Sequence, residues 1–90
     1  MTDYSKIPHH MQDAAKRYIE RGIRGASFFD ALVSNDLMGA MGKADDANQA
    51  AMVDWCRFLY NEAPAGCFGS PERVAAWIER GGIKGREVAS

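Results

Sequence analysis

The sequence predicts an all-α fold: a single compact domain of four to five short helices packed around a central helix at about residues 45–62. Three observations carry this reading. Apolar residues recur at helical spacing in several stretches, separated by glycine and proline signals. No stretch shows the alternation of apolar and polar residues that a half-buried strand requires. The 90 residues are 47% apolar and 26% charged, with two Trp, three Tyr and four Phe, which is material for one hydrophobic core and not two.

The first helix is expected from about Pro8 to Arg21. Met11, Ala14, Ala15, Tyr18, Ile19 and Gly22 fall on one face, and Asp13, Lys16, Arg17, Glu20 and Arg21 on the other. Proline suits a first turn and Gly22 an end. After the turn "GIRGA", Ser27 and Asp30 have the spacing of a capping box, with Phe28, Phe29, Leu32 and Val33 as the apolar face. Asn35 or Asp36 then caps a short helix carrying Leu37, Met38 and Met41, weakened by Gly39 and Gly42 at roughly 1 kcal/mol each.

The longest signal runs from Asp45 to about Glu62. Asp45 and Asp46 complement the positive end of its dipole. Met52, Trp55, Cys56 and Leu59 mark one face, while Val53, Phe58 and Tyr60 put apolar groups elsewhere, so this helix is expected to be packed on several sides. Pro64 closes it. Ser70 and Pro71 open the last helix as cap and first residue, with Val74, Ala75, Trp77 and Ile78 on its buried side. Gly81 stops it, Ile83 folds back on it, and residues 84–90 read as a flexible tail, leaving a core of about residues 7–83.

The net charge of −1 hides a pattern. Residues 1–25 carry five basic and three acidic groups, residues 26–62 two and six, and residues 63–90 four and three. The basic excess of a nucleic-acid binder is missing. The N-terminus lacks the apolar segment of a signal peptide, and no run approaches the roughly 18 apolar residues of a membrane span. The expected compartment is the cytosol, with no membrane partner.

Cys67, between Gly66 and Gly69 and near a helix start, is the one nucleophile candidate, but its residues have simpler uses: the glycines bend the chain, and Cys67 and Phe68 plug the gap between helices. Cys56, Cys67, His9 and His10 lack the spacing of a zinc site, and the aspartates lack the spacing of an EF-hand. "GIRG" and "GGIKG" lack the strand and the lysine–hydroxyl pair of a phosphate loop. No cofactor, metal or catalytic residue is expected, and the chain is not expected to be an enzyme. Arg17, Arg21 and Arg24, with Lys84 and Arg86, form an alternative nucleic-acid face for a small regulator, weakened by the interleaved Asp13 and Glu20. Direct nucleic-acid binding is not the expected mode. Met38 and Met41 are expected in the core.

The stretches "IPHHMQDAAKRYIERGIRGASFFDALVSNDL", "ADDAN" and "FLYNEAPAGCFGSPERVAAWIERGG" resemble a family of small proteins encoded by phages and prophages of proteobacteria. The likeness covers about Ile7 to Ile83. Its most specific pieces are Arg17 to Glu20, Ser34 to Leu37, Ala44 to Asp46, and the segment from Tyr60 to Pro71. Phe68 stands where relatives carry tryptophan, which keeps an aromatic plug and removes an indole donor. The resemblance implies a phage origin, and small phage proteins without catalytic motifs often disable a host machine by binding it. The expectation is a stoichiometric inhibitor of host defence, of the anti-CRISPR type, acting in the host cytoplasm as a monomer or homodimer. It would cover a nucleic-acid-binding or assembly surface on a host complex such as a CRISPR effector. Asp30, Asp36, Asp45, Asp46 and Asp54 are the contact candidates, through charge complementary to a basic channel.

Overall fold

A computed structural model describes residues 2–89, and the side chains of residues 2–85. Seven α-helices and two 3₁₀ turns make up these residues, with no strand among them. A 3₁₀ turn at His9–Met11 leads into α1 (Gln12–Arg21). Then come α2 (Ser27–Val33), α3 (Leu37–Lys43), α4 (Asp46–Ala50) and α5 (Met52–Asn61). A second 3₁₀ turn, Ala65–Cys67, precedes α6 (Pro71–Arg80) and α7 (Gly82–Ala89). The radius of gyration, 12.2 Å, is that of a folded domain of this length.

The termini of these helices follow local chemistry. Ser70 caps α6 by accepting the Arg73 N–H at 3.1 Å, with Pro71 at the first helical position. Asp36 accepts the Gly39 N–H at the start of α3, and Asp45 accepts the Asn48 N–H at the start of α4. Gly22 and Gly81 end α1 and α6 in the left-handed conformation, at φ 69° and 80°. Ile83, half-buried, packs back on the core.

Other expectations give way. The segment expected to open α1 at Pro8 is the tighter 3₁₀ turn, its Met11 N–H bonded to the Pro8 carbonyl at 2.9 Å. Ser27 is not a cap: Ala26 takes that place with no side-chain bond, and Asp30 instead binds Arg24. The long helix from Asp45 divides at Ala51 into α4 and α5. No residue type in "NQAAM" accounts for the break. Residues 84–89, expected as part of a tail, lie within α7, which packs on α1 and α6, whereas Ser90 lies outside the described residues.

The buried face of α5 also differs from expectation. Taking Trp55 as zero and advancing about 100° per residue, Met52, Leu59 and Phe58 fall within about 60° of it, and all four are buried. Cys56 lies about 100° away and is exposed, so the helix is packed on one side and open on the other. Ala75 on α6 is likewise exposed, while Val74 and Trp77 are buried.

Trp55 is the centre of the core. Phe28, Phe29 and Phe58 meet its ring edge-on at centroid distances of 5.7, 5.8 and 6.1 Å, and Tyr18 meets Phe29 at 5.2 Å. The polar atoms inside are paired. The Trp55 indole donates to the Asn48 side-chain oxygen at 3.0 Å, the Tyr18 hydroxyl to the Cys67 carbonyl at 2.6 Å, and the Trp77 indole to the Tyr18 carbonyl at 2.9 Å. The Gly69 N–H adds a bond to the Val33 carbonyl at 2.8 Å. The connector between α5 and α6 is thus tied to both α1 and α2.

Candidate partner-binding face

α2 ends at a sharp corner. Asn35 takes φ 66°, a value asparagine tolerates, and the Asp36 N–H returns to the Ala31 carbonyl at 2.9 Å. Asp36 then caps α3, and its carboxylate fills the space a Cβ on Gly39 would need. Of the two glycines that weaken α3, Gly39 is the one that admits its cap. At the far end, the Gln49 side chain donates to the Ala44 carbonyl at 3.3 Å and so holds α4 against the exit of α3.

Within α3 only Ala40 is buried. Leu37 is 57% exposed, Met38 82% and Met41 43%. The expectation that these methionines belong to the core is overturned: α3 packs on α2 with Ala40 inward, and Met38, about 160° around the helix from it, and Met41, about 100°, turn to solvent. Asp36 stands at one end of this apolar face. Asp45 and the exposed Asp46 follow its other end by two and three residues. The result is a short apolar helix with carboxylates at both termini.

The five candidate aspartates do not form one acidic surface. Asp30 is bound to the Arg24 guanidinium, and the two line a shallow cleft with Asp36 and Lys43. Asp45 takes both the Asn48 N–H and, at 3.0 Å, the His10 ring nitrogen. The Asn48 bond first, and His10 second, hold its carboxyl below the usual carboxylate value. Asp54 lies in a different cleft with Lys6 and Arg57. Of the five, Asp36, Asp45 and Asp46 border α3 in sequence, Asp30 shares a cleft with Asp36 and Lys43 but is engaged with Arg24, and Asp54 lies apart.

The arginine face is also reduced. Arg17 and Arg21 are exposed on α1, but Arg24 is engaged with Asp30 and Lys84 lies 3.9 Å from Glu20, while the Arg86 side chain lies outside the described residues. Cys67 is fully buried, and burial pushes its thiol up to about 12, so the thiolate that nucleophilic chemistry needs is suppressed at neutral pH. Among the described residues, no three His, Cys, Asp or Glu side chains converge as a metal site would require. An apolar cleft of 240 Å³ between α3 and α5 is smaller than the roughly 300–1,000 Å³ of small-molecule sites. No helix among the described residues is long and apolar enough to cross a membrane.

Compared with protein-family models, curated proteins and solved structures, the chain matches none.

Proposed function

We propose that this chain is a stoichiometric protein-binding inhibitor that docks through α3 on an apolar surface with a basic rim, with no catalytic step of its own. The observation that supports this is the exposure of Leu37, Met38 and Met41 on one short helix between Asp36 and the Asp45–Asp46 pair. Methionine side chains adapt to irregular partner surfaces, and flanking carboxylates favour a partner carrying lysine or arginine around an apolar patch. Surfaces that bind nucleic acid are basic for the reason that phosphates are acidic, so a nucleic-acid-binding or assembly surface fits this description. The resemblance to small phage proteins supplies the setting, a host defence complex of the CRISPR-effector kind.

The test is capture from nuclease-treated host lysate on the tagged chain, with Met38→Asp and the pair Asp45→Asn with Asp46→Lys as comparisons. Asparagine keeps the cap at position 45, so the second variant changes charge without removing the start of α4. Recovery of a nucleic-acid-handling defence complex near one-to-one, lost in Met38→Asp and weakened in the charge variant, is the expected outcome. Recovery of nucleic acid alone, vanishing with nuclease, would overturn the proposal.

A further inference from the structure

Two of the three large apolar residues exposed on α3 carry sulfur. Leu37, Met41 and Met38 lie within about 100° of arc around the helix, and the two methionines, three residues apart, are neighbours on one side of it. Met38 is 82% exposed and Met41 43%. Met52, on the α5 stripe that carries Trp55, is 9% exposed, and Met11 is half-buried against the core. Solvent thus reaches the thioethers of the docking face and is kept from the one in the interior.

An added oxygen atom has opposite consequences at these two places. Peroxide oxidises a thioether by two electrons. The sulfur donates an electron pair to one peroxide oxygen, an S–O bond forms as the O–O bond breaks, and the other oxygen leaves as water with both protons. The product, methionine sulfoxide, is polar where the thioether was apolar. On α3 water satisfies the new oxygen, and what holds this helix, Ala40 turned inward and the Asp36 cap, contains no sulfur. The free fold is therefore indifferent to the change. A partner that covers the face must strip that water away, at a cost an apolar surface does not return. At Met52 the oxygen would enter the core, and the fold itself would bear the cost.

We propose that the α3 face is a reversible redox switch: peroxide converts Met38 and Met41 to sulfoxides and so ends docking, while Met52 and the fold are spared. The inference rests on the inhibitor reading of the same face. Reversal takes methionine sulfoxide reductase and a dithiol, which becomes a disulfide as the sulfoxide oxygen leaves as water.

The test is treatment with dilute hydrogen peroxide in a Cys56→Ser background, since the exposed thiol also takes oxygen. Tryptic peptides separate the sites, because residues 25–43 carry Met38 and Met41 and residues 44–57 carry Met52. Met38 is expected to react first, Met41 next, and Met52 about tenfold or more slower than Met38. While only the 25–43 peptide is oxidised, far-UV circular dichroism and the thermal midpoint should match the untreated chain. Retention on a hydrophobic interaction column should fall. Capture from nuclease-treated lysate should weaken about tenfold or more, and return after the reductase and dithiothreitol. Whatever capture Met38→Leu with Met41→Leu retains should not change with peroxide. Equal oxidation of Met38 and Met52, loss of the fold with the first oxygen, or unchanged retention overturns the proposal. So does full capture by the oxidised chain. A reduced chain that captures nothing overturns the inhibitor reading instead, and the order of oxidation and the column retention still decide whether the face is switched.

Discussion

Tyr18 joins three parts of the chain. Its hydroxyl donates to the Cys67 carbonyl and its carbonyl accepts the Trp77 indole, so α1, the connector and α6 share one residue. Burial raises the Tyr18 phenol, and raises Tyr4 and Cys67 to about 12 each, above ordinary values of 10 and 9. A group that holds its proton more tightly when folded contributes its full stability below its unfolded pKa and loses it as pH rises through the folded value. Stability in urea is therefore expected to decline from about pH 9 upward, and Tyr18→Phe should make that decline shallower while costing about 0.5–1.5 kcal/mol at neutral pH. A thiol reagent at neutral pH should titrate one cysteine per native chain and two after unfolding, since Cys56 is exposed and Cys67 buried. Asn48 is the residue the sequence concealed, because an asparagine within a helix ordinarily faces water. The available signal was its register: Asn48, Met52, Trp55 and Leu59 are spaced i, i+4, i+7 and i+11 on one stripe. Asn48→Leu leaves the Trp55 indole N–H unpaired and should cost about 1–3 kcal/mol, seen as a fall of about 4–8 °C in Tm for each kcal/mol.

Among the elements, legibility followed the range of the forces involved. Asp36, Asp45, Ser70, Gly22 and Gly81 satisfy backbone groups within four residues of themselves, and their roles could be read along the chain. Ser27 misled because Asp30, its intended partner, had a stronger one in Arg24 at the other side of the turn. The face of α5 was harder still, since apolar residues all round the cylinder leave the choice to neighbouring helices. Glycines test the same distinction. Gly22 sits at φ 69°, and a Cβ there would lie 2.9 Å from the Gly82 nitrogen, where the ends of α1 and α6 meet backbone to backbone. Gly22→Ala should cost more than the roughly 1–2 kcal/mol of a left-handed alanine. Gly42 in α3 has nothing within 4 Å of that position, so Gly42→Ala should stabilise by up to about 1 kcal/mol. Chemical denaturation of the two variants side by side measures both signs.

At the scale of the whole molecule, the acidic middle seen in the sequence disperses on folding. Asp30 and Asp45 acquire basic partners and Asp54 a basic neighbourhood, leaving α3 as the place where carboxylates flank an apolar face. That face was hidden because methionines at helical spacing look like core until the helix that carries them proves to pack inward through Ala40. What holds the fold together is a single connected interior. Trp55 touches α2 through Phe28 and Phe29, α4 through Asn48, and its own helix through Phe58, while Trp77 is bonded to α1. No subset of these helices can leave without exposing one of the two indoles or unpairing it. Heat should therefore unfold the chain in one step, with helix loss at 222 nm and the red shift of tryptophan emission superimposing. Trp77→Phe removes the bond to the Tyr18 carbonyl but keeps an aromatic ring in place. If the interior is one unit, this variant lowers the common midpoint and the two signals still coincide; separated transitions in the wild type would show instead that α6 and α1 form a unit apart from the Trp55 cluster.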